Sequence, residues 1–581
     1  MRSHSVLIVG GSLVGLSQAL FLARQGVDCV LVERHPGLSI HPRARGLNPR
    51  TMELFRQAGI EDRLRATESA RALAGNSGVA MVDTLAGQEF TRLEQAYFMD
   101  TDTDYSALTP VTWCLCHQDE AEPIIADRAR ELGADIRFGT ELVKFEQGPD
   151  GVTAVARDRA SGAEETLHAG YLVAADGAHS GIREELGIST RGPGTLSDFL
   201  NISFTADLRP VLGERRFVIC YVRALPMRAA LLPVNNADRW LLHVECDPRR
   251  AAAISPAECR ALVRAAAGTA DLDVVINQAV PWEMAGHIAE TFQSGRVFLV
   301  GDSAHVMPPT GAFGSNTGVQ AAHNLAWKLA AVLRHGASPT LLDSYDAERR
   351  PVAARTVEQV VLRSRDRSRM TRAAEQGGEQ GGGRTIRPDA ELMFAHRYRS
   401  SAVVSDTDPA TAGDAGSGTA GETGGAGDGG AGVVAGGADA GFGTAGEVGV
   451  RAPHLVLTRA GERLAVGELF GDGFVLLAGA AGVTWTEAAA ALATESGIPL
   501  AAYRVVPAVS GPDDRVDGPG LLADPAGEWE RAFGVGPAGA VLVRPDGFVG
   551  WRSPAGHPDP HRALGEALSR ILHGAPAPFL V

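Results

Sequence analysis

Along the first third of the chain, short and wholly apolar runs alternate with stretches whose apolar residues recur every three or four positions. That is the pattern of buried parallel strands and the helices that cover them. Residues 6–9 predict a strand, and the helix after it carries Leu16, Leu20 and Ala23 on one face and Gly26 at its end. Residues 29–32 predict a second strand, which closes on Glu33 and Arg34. Asn48, Pro49 and Gly59 fit the cap, first position and stop of another helix. A helix over 119–132 leads to strands at 136–138 and 142–145, and 152–156 with 165–168 predicts a hairpin pair.

Two further apolar runs end alike. Residues 171–175 run into Asp176-Gly177, and residues 297–300 run into Gly301-Asp302. Each delivers an aspartate at the carboxyl end of a buried strand, where open α/β sheets place their ligands. After the second, Pro308 and Pro309 exclude regular structure, and Gly311, Gly314 and Gly318 allow sharp turns or close approach. A helix is predicted from about Thr317, with Val319, Leu325 and Leu329 on its buried stripe and Gly336 at its left-handed stop. Its amino end carries about half a positive charge, which suits an anion or a ring that becomes anionic on reduction. Between the two runs, residues 190–285 alternate as strands do: Phe217, Ile219 and Tyr221, then Trp240, Leu242 and Val244.

Further along, residues 352–374 predict a long polar helix, broken by the glycines of 377–383. Residues 405–447 are almost wholly Gly, Ala, Ser, Thr and Asp without an apolar period, which predicts a flexible linker. Beyond 450 come a strand at 474–477, a helix at 486–496, a strand at 501–506, a hairpin over 541–551 and a helix at 560–572. That sequence of elements is the thioredoxin order and predicts a separate domain.

Composition bounds the function classes. The 581 residues suffice for about three domains at ~150 each. A hydrophobic content of 45% and a charged content of 21% are those of a globular protein, and a net charge of -15 argues against nucleic acid as a general partner. No uninterrupted apolar run of ~18 residues predicts a membrane span. Residues 6–23 lack a small-residue cleavage site before the next strand, so a cytosolic protein is expected. The six cysteines are scattered, only Cys114 and Cys116 lie close, and packed thiols rather than a metal centre are expected.

The amino-terminal turn carries the first specific chemistry. Gly10-Gly11-Ser12-Leu13-Val14-Gly15, between a strand and a helix, matches G-x-G-x-x-G with Ser12 at the middle glycine. In that pattern the helix start holds a pyrophosphate, and an acid at the end of the next strand, here Glu33, holds ribose hydroxyls. The Ser12 hydroxyl is expected to donate to phosphate. Arg43 and Arg45 lie in an extended loop beside it, where arginines hold a pyrophosphate, a nicotinamide cofactor or an acidic substrate, or serve only as surface charge.

The three strand-end sites come in the order 10–15, 176–177 and 301–302, with the stretches HPRARGLNPRTMELFR, GDSAHVMPPTGAFGSNTGVQ, NLAWKLAAVL and LLDSYDAERRPVA around them. Over residues 1 to about 400 the chain thereby resembles the FAD-dependent aromatic hydroxylases of the para-hydroxybenzoate hydroxylase type. Within them it is most similar to the aromatic polyketide hydroxylases, of the aklavinone hydroxylase and tetracenomycin oxygenase kind. The resemblance implies an α/β fold with a Rossmann-like FAD-binding domain from 1–185 and 286–400. A mixed-sheet substrate domain at 186–285, drawing also on 70–115, and a C-terminal thioredoxin-like domain without cysteines at 450–581 complete it.

By the same resemblance Gly10, Ser12, Leu13, Gly15 and Glu33 hold the ADP half of FAD, and Arg34, Arg43, Gln118 and Leu142 add contacts. Asp176 and Arg183 match a motif assigned to both FAD and NAD(P)H. Asp302 holds the ribityl chain, and Pro309, Gly311, Gly314 and Asn316 line the isoalloxazine. Tyr221 matches a tyrosine proposed as proton acceptor in the aklavinone hydroxylases. A free tyrosine has a pKa near ~10, so a pocket-lining ring stays open beside that role. Arg45 is the second catalytic candidate.

The implied reaction is aromatic monooxygenation: NADPH or NADH reduces FAD, oxygen forms a flavin C4a-hydroperoxide, and its distal oxygen attacks a polycyclic phenol. The expected partners are that aromatic small molecule and molecular oxygen, with neither nucleic acid nor membrane, in a monomer or homodimer. No second dinucleotide fold is found, so the nicotinamide is expected to visit transiently. A hydroxylase of simple phenols, a Baeyer-Villiger oxygenase and a non-oxygenating flavin-binding protein stay open as alternatives. A disulfide reductase lacks its C-x4-C pair here, and a flavin halogenase its W-x-W-x-I-P stretch.

Overall fold

A computed structural model describes residues 2–40, 44–93, 104–376, 386–405, 446–508 and 518–573. Arg43, the glycines of 377–383 and nearly all of the expected linker 405–447 lie outside the described residues. The chain forms two compact units, one of Met1–Asp104, Val111–Ala326 and Arg349–Asp389, the other of Tyr105–Pro110, Trp327–Glu348 and Ala390–Val581. The expected stretch 286–400 therefore runs across the division between them.

The first unit holds two sheets. In one, the order is Gln293–Ser294, Val297–Leu299, Glu164–Ala174, Arg2–Val9, Cys29–Glu33 and Asp135–Phe138, parallel except at the first pair. Val6, Leu7, Ile8, Val30, Leu31, Leu172 and Val173 are wholly buried, as strands covered on both faces must be. The expected runs 165–168 and 171–174 are one strand, Glu164–Ala174. Along its length it pairs antiparallel with Gly151–Asp158 and parallel with Arg2–Val9.

The second sheet runs His305–Val306, Val275–Ala289, Thr190–Thr205, Arg239–Glu245, Ala229–Pro233, Ile219–Val222, Val79–Val82 and Glu89–Leu93. One face packs Leu200, Ile202, Phe204, Leu231, Trp240 and Leu242 into a core with Cys259, Val263 and Ala266. Those three belong to the helix Pro256–Ala267, which the alternating reading of 190–285 did not foresee. Register assigns the other face: Tyr221 opposes Ala230, Ala230 opposes His243, and His243 opposes Asn201, so this row shares one side of the sheet.

In the second unit the sheet order is Glu462–Ala465, Val456–Arg459, Leu521–Asp524, Leu500–Pro507, Phe474–Ala478, Ala540–Val543 and Val549–Ser553. Phe474–Ala478 and Leu500–Pro507 are parallel across the helix Val483–Ser496, and the hairpin of the last two strands turns through Gly547 at φ +81°. The unit also buries a charge cluster. Glu348 accepts from Lys328 Nζ at 2.8 Å, Arg544 Nη1 at 2.6 Å and Ser400 Oγ at 2.6 Å, while Arg544 Nη2 reaches Asp546 at 2.6 Å. Each charge has an opposite partner, the condition for keeping ions out of water. Burial pushes the Glu348 carboxyl up, but Arg544 and Lys328 outweigh it and hold it well below the usual carboxylate range.

Candidate active site

Register brings the motifs together. Val9 lies beside Val32 and Ala174, and Ala174 beside Leu299, so the strands before residues 10–15, 33–34, 176–177 and 301–302 all end on one row. Because these strands are parallel, all four turns open at the carboxyl edge.

Glycine is needed in the first turn by the protein's own backbone. Gly10 has φ +111°, and a Cβ there would fall 2.2 Å from Ala175 O; one at Gly15 would fall 1.9 Å from Gly10 O. Val14 wedges between the other motifs: a Cβ at Gly301 or Gly318 would lie 3.1 or 2.7 Å from its methyl groups. Leu13 opens the helix Leu13–Arg24 with its side chain buried, so only its backbone is available to a ligand. Glu33 accepts from Gly11 N at 2.7 Å and from His35 N at 2.8 Å, which fixes the carboxylate at the mouth of the turn. Arg34 is exposed.

Ser12 departs from expectation. Its hydroxyl donates to Glu122 Oε1 at 2.8 Å, and a hydroxyl has one hydrogen to give, so phosphate receives none from it in this arrangement. Gln118 donates to Ser12 Oγ at 2.8 Å, and its Oε1 accepts from Ala44 N at 3.1 Å.

Residues 44–48 bridge the first turn to the glycine-rich loop near 310. Asn316 is buried; its Oδ1 accepts from Asn48 N at 2.9 Å, and its Nδ2 donates to Gly46 O at 2.9 Å and Ala312 O at 2.6 Å. Arg45 is buried too and donates to Val218 O, one residue before the strand of Tyr221. Burial pulls its guanidinium pKa down to about 9, which leaves it cationic at neutral pH.

The helix after the loop starts at Phe313, four residues before the expected Thr317, so Gly314 and Asn316 lie in its first turn. The turn that permits this is Gly311 at φ +84° and Ala312 at φ +55°, a left-handed pair that lets Phe313 enter the core. Arg363, fully buried, sits over the Phe313 ring at 5.3 Å and pairs with Asp389. Pro309 is exposed.

Asp302 is exposed on the turn Gly301–Ser303, which Ser303 anchors by donating to Ala174 O at 2.7 Å. His305, two residues on, is completely buried; burial and then Arg349 lower its pKa to about 3, so the ring is neutral. Asp176 accepts from Ile182 N at 3.2 Å, and Arg183 donates to Ala178 O at 3.1 Å and Ser303 O at 3.3 Å, joining the second motif to the third. Burial raises the Asp176 pKa, against the hydrogen bond from Ser180. Leu142 pairs with Ala156 in the antiparallel strand Thr140–Gly148, which follows the strand whose Phe138 lies beside Glu33. Tyr221 is half-buried in its row with Ala230, His243 and Asn201.

A family profile described as FAD binding domain matches residues 3–360, and one described as aromatic-ring hydroxylase, C-terminal, matches residues 445–576. The chain belongs to the FAD-dependent aromatic hydroxylases. A relative from Streptomyces halstedii, provisionally named a polyketide hydroxylase, is 44% identical over 98% of this chain and 97% of its own length. The tetracenomycin B2 monooxygenase-dioxygenase of Streptomyces olivaceus is 39% identical over 98% of each chain. The solved ternary complex of aklavinone-11 hydroxylase with FAD and aklavinone superposes with a TM-score of 0.82 at 36% identity, covering 99% of this chain and 100% of that one.

As a member of these hydroxylases the chain is an FAD-dependent monooxygenase with a mixed α/β fold. Its first unit fits FAD: a helix amino end follows a turn that admits only glycine at Gly10 and Gly15, the Glu33 carboxylate is fixed at the mouth of that turn, and Asp302 stands exposed on a turn at the same sheet edge. Among the described residues no cluster of His, Cys, Asp or Glu is arranged for a metal ion, and no helix is long and apolar enough to cross a membrane. All six cysteines are free thiols.

Residues that the motif reading passed over also shape the hydroxylase site. Glu122 follows Gln118 by four positions on the helix Gln118–Glu131, a spacing that puts both on one face and was available as a signal. Arg363 and Asp389 are 26 positions apart, and nothing local announces their pairing.

Proposed function

We propose that this hydroxylase acts on a polycyclic phenol of polyketide origin, takes its electrons from NADPH or NADH, and works in the cytosol as a monomer or homodimer. The observation that supports it most is a hydrogen-bonded path from the loop near 310 to the strand of Tyr221. It runs from Ala312 to Asn316, from Asn316 to Gly46 and Asn48, and from Arg45 to Val218. Loop and sheet face are thereby held in a fixed relation, as a flat aromatic substrate between them requires.

In domain terms, residues 1–185 with 286–400 bind FAD, 186–285 with part of 70–115 cover the substrate, and 450–581 form a thioredoxin-like domain without thiol chemistry. FAD, when bound, takes up hydride and delivers one atom of molecular oxygen to the ring. The protein's own groups bind and orient. Gly10, Gly15, Leu13 N–H and Glu33 hold the ADP half, with Gln118 fixing the turn and Asp302 the ribityl chain. Pro309, Gly311 and Gly314 lie along the ring, with Asn316 holding them. Arg45 supplies a buried cation for a phenolate or a nicotinamide phosphate, and Tyr221 takes the substrate's phenolic proton or lines its ring.

A simple phenol is the second reading. It is favoured by the 4-methyl-5-nitrocatechol 5-monooxygenase of a Burkholderia species, 40% identical over 98% of this chain. Product mass spectrometry across phenols of one to four rings separates the two. The proposal expects kcat/KM at least tenfold higher for three or four rings than for one; the reverse ranking sinks it in favour of the second reading.

A further inference from the structure

Ser12 is the cap residue of the helix Leu13–Arg24, yet its side chain makes no capping hydrogen bond. Its hydrogen goes to Glu122 Oε1 at 2.8 Å, its oxygen accepts from Gln118 Nε2 at 2.8 Å, and Gln118 Nε2 also reaches Glu122 Oε1 at 2.6 Å. The three side chains close a ring. Glu122 is completely buried, and a buried carboxylate persists only where it is hydrogen-bonded, so it holds both partners in one orientation. Gln118 passes that order on: its backbone N–H donates to Ala44 O at 2.8 Å and its Oε1 accepts from Ala44 N, next to Arg45.

We infer that Glu122 is a positioning residue for FAD, which fixes the Ser12 hydroxyl and the Gln118 amide so that the 10–15 turn and the backbone of Ala44 form one rigid cradle. Ser12 stands where dinucleotide turns carry glycine, and an unrestrained side chain there would have to be ordered each time the pyrophosphate binds. With its rotamer already set by Glu122, that cost falls before binding. Both hydrogen bonds need only an oxygen lone pair on residue 122. A negative charge there, on a side chain that touches the pyrophosphate turn, would oppose an anionic ligand. The acceptor is therefore the useful feature and the charge is not.

The test measures FAD affinity of the deflavinated full-length protein by flavin fluorescence quenching, which needs no turnover. Four variants are compared: Glu122→Gln, which keeps an acceptor; Glu122→Met, which keeps the shape without one; Ser12→Gly; and the Ser12→Gly, Glu122→Met pair. Expected are a Kd within threefold of the parent for Glu122→Gln and for Ser12→Gly. For Glu122→Met the expected Kd is weaker by roughly tenfold or more, the worth of a hydrogen bond to a charged group. In the Ser12→Gly background the effect of Glu122→Met shrinks at least threefold, because the two residues act through each other. Equal losses from Glu122→Met in both backgrounds, no loss from it in the parent, or a Glu122→Gln as weak as Glu122→Met would each overturn the inference. Should Glu122→Met fail to fold, Glu122→Ala, which also lacks the acceptor, takes its place in both backgrounds with the same thresholds.

Discussion

The turn at 10–15 and the loop at 309–314 are both proposed to serve the cofactor, but they differ in what holds their glycines: the backbone requires Gly10, Gly15 and, at φ +84°, Gly311, and it does not require Gly314. At Gly10 and Gly15 an added Cβ would strike backbone oxygens at 2.2 and 1.9 Å, so the fold itself requires glycine there. At Gly314 an added Cβ would meet only Met307 Cγ at 3.5 Å, an ordinary contact, and the residue lies in the first turn of the helix Phe313–His335. A glycine inside a helix costs about 0.5–1 kcal/mol relative to alanine. No contact within the fold requires glycine at 314, which supports the proposal that the space beside it serves the cofactor.

The sharpest way to break this contrast is Gly15→Ala. Backbone overlap at Gly10 O should destabilise the apoprotein by on the order of 4 kcal/mol and abolish FAD retention; a denaturation midpoint near the parent's would show that the turn yields. Asp302→Ala comes next. Its carboxylate is exposed on a turn held by Ser303, so the apoprotein melting temperature should hold while FAD affinity falls by roughly ten- to a hundredfold. Unchanged affinity would remove Asp302 from the site.

Acid provides the third test, on the side of the loop near 310. The folded pKa of His305 lies at about 3, below the ~6.5 of an exposed histidine, so the unfolded chain binds the proton first. The stability it contributes is fully present above pH ~6.5 and is lost as pH falls towards 3, by about 1.4 kcal/mol per unit from this residue. Melting temperatures of the parent and of His305→Gln between pH 7.5 and 5 should converge; parallel curves would contradict a neutral buried ring. Smallest is Gly314→Ala. It should leave the apoprotein as stable or more stable by about 0.5–1 kcal/mol while weakening FAD several-fold. A variant that is both stabilised and unimpaired in binding would erase the difference between the two loops.

How much was legible in the sequence follows the same line. The first turn announces itself because glycines demanded by sterics sit between an apolar strand and a helix, with Glu33 at the fixed distance that the fold dictates. The second loop was read four residues late, since nothing in the letters says that Ala312 takes φ +55° and hands Phe313 to the core. In the middle sheet the alternation of Ile219, Tyr221, Leu242 and Val244 was visible, yet Ser255 and Glu258, a capping box that opens Pro256–Ala267, were overlooked within it. The strand Thr190–Thr205 contains Pro193 between two glycines at positive φ, features that argue locally against the pairing tertiary structure imposes. Contacts such as Arg363 with Asp389 and Arg544 with Glu348 join distant positions and leave no periodic trace.

The central claim is that this chain inserts one atom of molecular oxygen into an aromatic ring, and isotope labelling tests it most directly. The FAD-loaded protein, given NADPH or NADH, labelled oxygen gas and a turned-over polycyclic phenol, should yield product carrying one labelled atom per hydroxyl gained, with nicotinamide oxidation rising several-fold over the rate without phenol. Product oxygen drawn from water, or phenol-stimulated oxidation that ends only in hydrogen peroxide, would contradict it.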